Sequence, residues 1–181
     1  MSDVISGIEK VANEAGYNLI ISQSLESDEK ERVNAQTMFN SRVDGLLVSL
    51  TYNAGSADHF NPFIKKEIPL IFFDRVTDLG NCPTIVIDNF KAAYEITSHL
   101  ISRGSKNPAH ITGNVQCNVY NDRFRGFKKA LSDHGIAFDN SNLIVGDLSP
   151  EAGRSAAHQL LGKEKLPDAV LQQMIHALQV A

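Results

Sequence analysis

An α/β fold built on a mostly parallel, doubly wound sheet is what this sequence predicts, on three observations. Short apolar runs of strand character alternate along the chain with segments whose apolar residues recur at helical spacing. The run Val43-Asp44-Gly45-Leu46-Leu47-Val48-Ser49-Leu50 is close to continuous rather than alternating, the pattern of a strand covered on both faces. Punctuation falls between the runs. Gly16, Gly104 and Gly135 close helical stripes, and Ser149-Pro150-Glu151 supplies an N-cap, an N1 proline and a first-turn acid.

Each element follows from these rules. Val4, Ile8, Val11 and Ala15 predict a first helix, and Tyr17 to Ser22 a strand after it. Capping side chains from Ser24 to Ser27, with Asp28, Glu29 and Glu31, open a second helix to about Ser41 whose inner face carries Val33, Thr37 and Met38. Val43 to Leu50 is the clearest buried strand. A short helix over His59 to Lys66 precedes strands over Pro69 to Asp74 and Thr84 to Asp88. Ala93, Ile96, Thr97 and Leu100 mark a helix, Ala109 to Thr112 a strand, and Phe124, Phe127 and Leu131 a further helix face. Leu143 to Val145, a helix through Leu161, and a strand opening at Asp168 complete the series. The step from Phe73 to Phe90 holds two strands with no helix between them. Two lobes joined by a crossover account for it, and so does an edge strand on a single sheet.

Composition narrows the function. The 181 residues carry a net charge of −4, with 43% apolar and 21% charged residues, ordinary values for a globular chain and a poor match to a polyanion-binding surface. No apolar run has the length of a membrane span. Two cysteines make no disulfide framework, and Met1-Ser2-Asp3-Val4 begins no export signal, so a reducing cytoplasm is expected. Phosphate-cradling, dinucleotide-binding, hydrolase-elbow and zinc motifs are all absent, and the six histidines lack ligand-like spacing. A protein that is not an enzyme, with neither cofactor nor metal, is the expectation.

What remains is polar residues at the carboxyl ends of strands, where open α/β sheets bind ligands. Asp74 ends Leu70-Ile71-Phe72-Phe73 and either accepts hydrogen bonds from a hydroxyl-bearing ligand or caps a loop and pairs with Arg75. Ser49 has the same placement. Asp88 and Asn89 cap the helix beginning near Phe90. Arg123 falls near the start of a helix opening at Asn121, where the dipole disfavours a cation, so it reaches into a cleft or pairs with Asp122 or a neighbouring Asn. Tyr120 offers a stacking face or is ordinary core.

Several segments together resemble one family. Gly7-Ile8-Glu9-Lys10-Val11-Ala12-Asn13-Glu14-Ala15-Gly16-Tyr17, Ser41-Arg42-Val43-Asp44-Gly45-Leu46-Leu47-Val48-Ser49 and Ile68-Pro69-Leu70-Ile71-Phe72-Phe73-Asp74-Arg75 look like successive signatures of the LacI/GalR transcription regulators. Arg123-Phe124-Arg125-Gly126-Phe127 and Gly146-Asp147-Leu148-Ser149 continue the match in register. The resemblance implies a type I periplasmic-binding-protein-like fold of two doubly wound parallel-sheet lobes, residues 1–88 and 89–181, around a small-molecule cleft. It also implies a ligand sensor that binds a sugar-like effector, acts as a homodimer and modulates operator DNA binding. An extracytoplasmic sugar-binding protein of a transport system is the alternative.

By position, Asp74 matches an aspartate that contacts sugar hydroxyls, Arg123 an arginine that reaches the effector, Ser49 a strand-end polar contact, and Leu148 a place often held by an aromatic platform. Leucine there offers no stacking face. The family's helix-turn-helix and first strand are not in these residues, and Val170 to Ala181 jumps to what resembles the following helix. The chain is therefore expected to be truncated at both ends.

Overall fold

The computed structural model describes residues 2–52, 55–147 and 149–172. It contains two three-stranded sheets, every strand pair parallel. The elements in chain order are α1 (Ser2–Glu14), α2 (Asp28–Asn40), β1 (Leu46–Val48), α3 (Asn61–Lys65) after a 3₁₀ turn over Asp58–Phe60, β2 (Leu70–Phe73) and β3 (Thr84–Ile85). There follow α4 (Asn89–Ser102), β4 (Pro108–Thr112), α5 (Asn118–Asp133), β5 (Leu143–Val145), α6 (Pro150–Leu161) and β6 (Ala169–Gln172).

The first sheet runs β1-β2-β3, with Leu46 opposite Leu70 and Phe72 opposite Thr84. Parallel neighbours normally need a helical crossover. Between β2 and β3 the residues 74–83 do that work as a packed loop: Val76, Leu79 and Cys82 lie against the core. Its centre is Phe60, Phe63, Leu70 and Phe72, with Phe60 edge-on to Phe72 at 5.7 Å. Phe63 and Phe72 are fully buried, each worth roughly 2 kcal/mol of apolar transfer.

The second sheet runs β5-β4-β6, so β4 is central and every one of its residues is buried. Strand β4, rather than Val43 to Leu50, is thus the clearest buried strand. Strand β1 lies at the end of its sheet's order, and Leu47 there is 44% exposed. Helices α4 and α5 cross closely over Gly126, where a Cβ would stand 2.2 Å from the Phe90 carbonyl oxygen.

The caps at Ser27, Ser149 and Asp88 are as the sequence predicts, whereas Asn89, also expected to cap, is the first residue of α4. Ser27 Oγ accepts from Lys30 N, Ser149 Oγ from Ala152 N, and Asp88 Oδ1 from Lys91 N at 2.8 Å. Gly16 and Gly135 close their helices in the left-handed region, at φ of 81° and 70°. Removing the α4 cap by Asp88→Ala is expected to cost about 1 kcal/mol, read as a lower urea midpoint at unchanged slope.

Three expectations need correction. Tyr17 to Ser22 joins no ladder; a cavity of about 350 Å³ lies between residues 19–26 and Leu47, Ser49 and Phe73. In α2 the buried face is Glu31, Ala35 and Met38, while Val33 and Thr37 point outward. A buried Glu31 breaks the apolar stripe from which that face was read; its carboxylate accepts from Thr51 N at 2.6 Å and stands 3.1 Å from His59 Nε2. In α1 the phase is also rotated, with Ile5 and Ile8 lining the 350 Å³ cavity and Val11 66% exposed.

Candidate functional site

The carboxyl ends of β1, β2 and β4 converge on the amino end of α5. Between them lies a cavity of about 210 Å³, lined by Thr51 and Tyr52 after β1, Arg75 and Val76 after β2, and Asn114 and Asn118 before and at the start of α5. Parallel strands put these turns at one edge, which is why open α/β sheets bind there.

Arg75 is the charged centre of this edge. It forks onto Glu26, with Nη1 to Oε2 at 2.9 Å and Nη2 to Oε1 at 3.0 Å, and its side chain is only 15% exposed. Burial opposes the charge, yet the Glu26 hydrogen bonds and field outweigh it and hold the guanidinium above its ordinary pKa. Glu26 also accepts from Tyr52 N at 2.7 Å. To reach both, Leu25 and Glu26 adopt left-handed backbone at φ of 50° and 61°, a conformation costing non-glycine residues about 1 kcal/mol each.

Asp74 follows β2 at φ 58°, its N–H donating to Ile85 O and its carbonyl accepting from Asn118 Nδ2 at 3.1 Å. The pairing of Asp74 with Arg75 is not formed; Arg75 takes Glu26 instead. The half-buried Asp74 carboxylate still acts on its surroundings, raising the pKa of Cys117, Tyr120 and Arg75 through its field. Tyr120 is buried, edge-on to Tyr52 at 5.7 Å, and burial above all pushes its phenol up to about 12. Burial likewise raises the Cys117 thiol, against the opposing N–H groups of Val119 and Tyr120, which keeps it protonated.

Arg123 lies one turn further into α5 than the sequence predicts, because the helix starts at Asn118 rather than near Asn121. Its Nε donates to Asn89 Oδ1 at 2.7 Å, and Asp122 pairs with Arg125, not with Arg123. Asn89 is buried at the first turn of α4, so Arg123 is tied into the second lobe beside His110.

None of Asp74, Tyr120, Arg123 and Ser49 lines the 210 Å³ cavity, although Asp74 and Tyr120 adjoin residues that do. Ser49 lines the 350 Å³ cavity with Ile20 and Leu25, and its hydroxyl is buried without a hydrogen-bond partner among the described residues. Leu148 lies outside the described residues. Asp74 and Tyr120 thus share one neighbourhood, while Arg123 and Ser49 are anchored elsewhere.

Glu26, Tyr52 and Asn118 were not legible as site residues. Their partners are 49, 94 and 44 positions away in sequence, beyond any local spacing signal. The order Ser49, Tyr52, Asp74, Arg75 after two strands was the available clue.

Two parallel sheets with a crevice at their strand ends make a fold of periplasmic-binding-protein type. The family described as periplasmic binding proteins and sugar-binding domain of the LacI family matches residues 1–174, and the chain belongs to it. The HTH-type transcriptional repressor PurR of Erwinia tasmaniensis is 32% identical over 175 residues, covering 93% of this chain and 50% of that protein. Catabolite control protein A of Priestia megaterium is 26% identical over 172 residues, with 93% and 51% covered. The crystal structure of the Cra transcriptional dual regulator from Pseudomonas putida, in complex with fructose 1-phosphate, superposes with a TM-score of 0.84 at 26% identity, covering 98% of this chain and 65% of that one. The chain spans about half the length of the curated relatives it matches.

Proposed function

We infer that this chain is the effector-binding part of a LacI-type bacterial transcription regulator. The observation that carries the reading is the convergence of polar strand-end residues on an interlobe crevice in a chain of this family. Residues 1–88 form one lobe and 89–181 the other, and a small sugar or related metabolite binds between them. Asp74 accepts hydrogen bonds from ligand hydroxyls, Arg123 forks onto ligand oxygens from the second lobe, and Tyr120 and Leu148 add to the walls, whereas Ser49, on the other cavity, is left out of the site. Binding shifts the equilibrium between lobe arrangements, and the effector acts by preferring one of them.

In the whole protein, operator DNA is read by a helix-turn-helix segment, as a homodimer matched to a two-fold site, in the cytoplasm. The named relatives are repressors and regulators rather than enzymes, which favours this reading over a transport protein. Among the described residues no helix is long and apolar enough to cross a membrane.

Isothermal titration against a panel of free and phosphorylated sugars tests the proposal. Saturable binding without turnover is expected, and Arg123→Ala should weaken it about tenfold or more, the loss of a charge-assisted hydrogen bond. Equal affinities in the two proteins would take Arg123 out of the cleft, and silence across the panel would sink the sugar assignment.

A further inference from the structure

Among the described residues, the backbone passes from the first sheet to the second between Ile85, the end of β3, and Asn89, the start of α4. Two side chains carry four hydrogen bonds across the gap. Tyr52, on the first-lobe loop after β1, donates its hydroxyl proton to Gly146 O at 2.6 Å and accepts from Asn114 N at 2.8 Å. Both partners lie in turns that follow strands of the second sheet, β5 and β4.

Asn118, the first residue of α5, answers in the opposite direction. Its Oδ1 accepts from Val76 N and its Nδ2 donates to Asp74 O, each at 3.1 Å, on the first-lobe turn after β2. Every partner is a backbone group, so each side chain reads the position of the other lobe's turn. Gly113 makes room for the approach: a Cβ there would stand 2.9 Å from the Tyr120 ring and 3.0 Å from the Tyr52 ring.

We propose that Tyr52 and Asn118 form a clasp that holds the two lobes together across the crevice. All four bonds are made between groups of the protein itself. Both side chains also line the 210 Å³ cavity, which places the clasp on the rim of the crevice rather than at a distant hinge. A ligand entering this crevice must wait for the clasp to open, and its apparent affinity carries the fraction of time the competent arrangement is populated. The clasp stands on this geometry alone; its part in sensing rests on the regulator reading above.

The test uses the full chain with Tyr52→Phe, which keeps the ring on Tyr120 and removes only the hydroxyl, with Asn118→Ala, and with both. Amide exchange followed by NMR should quicken about fivefold or more at Asn114 in Tyr52→Phe and at Val76 in Asn118→Ala. The double variant should quicken both and increase the radius of gyration in small-angle scattering. The Gly146 amide, which donates to Thr112 O within the second sheet, reports on intact folding and should keep its protection. Unchanged exchange at Asn114 and Val76 with an unchanged radius overturns the clasp. So does a loss of protection that is no greater at these two amides than at Gly146. Variants that open as expected in a chain that binds no sugar would leave the clasp standing and remove the sensor reading instead.

Discussion

Replacing Gly126 with alanine is expected to destabilise the protein by about 2 kcal/mol or more, seen as a lower urea midpoint. Two effects oppose each other at this position. Alanine in a helix interior is favoured over glycine by up to about 1 kcal/mol. Against that, the added Cβ would stand 2.2 Å from the Phe90 carbonyl oxygen and 3.0 Å from Tyr94 N. Both are backbone atoms of α4 and neither can rotate away, so the α4–α5 pair must separate. Separation loosens Phe127, Ala130 and Leu131, which are buried on the same helix. Steric cost should therefore exceed the propensity gain. A Gly126→Ala protein as stable as the parent would show that the two helices do not cross this closely.

Acid should weaken the fold through one buried imidazole. His110 sits on β4 with no exposed surface, stacked 4.9 Å from Phe127, and its Nδ1 lies 3.1 Å from Leu171 O. Burial above all lowers its pKa from 6.5 to about 4, with the Arg123 charge acting in the same direction. The folded state thus prefers the neutral ring, whereas the unfolded chain protonates it near 6.5. The stabilisation is complete above that value and is lost as pH falls towards 4. Its size is roughly 3 kcal/mol at about 1.4 kcal/mol per pH unit. Urea midpoints measured from pH 7 to pH 4 for the parent and for His110→Leu should converge. The variant starts lower, because Leu171 O loses its donor, and falls less steeply. Parallel curves would mean that His110 is not held neutral.

These expectations rest on features that were unequally legible. The order and type of elements could be read because caps and periodicity act within a few residues: Ser149, Asp88 and Ser27 each bond a backbone N–H three positions on. The phase of a helix is harder. Val33 and Thr37 form a plausible stripe, yet the fold turns Glu31 inward, where Thr51 N donates to it and His59 stands 3.1 Å away, both from distant segments. A free strand cannot be told from a paired one locally either, and Tyr17 to Ser22 has the composition of a strand without its ladder. At the crevice, sequence position identifies Asp74 as a strand-end carboxylate. It carries no record of the preference of Arg75 for Glu26, which depends on the left-handed turn at Leu25 and Glu26 bringing that carboxylate across.

The two strand orders differ in how soon each sheet can be completed during synthesis. In the order β1-β2-β3 every neighbour in space is the next strand to leave the ribosome. In β5-β4-β6 the middle strand emerges first, and its second flank, Ala169–Gln172, arrives only after α5, β5 and α6 have been made. The amino-terminal sheet can therefore assemble vectorially, while β4 waits half-covered through the translation of some sixty further codons, a few seconds at ordinary elongation rates of about 5–20 residues per second. That interval is when the nascent chain leaves open the strand that the finished fold buries along its whole length.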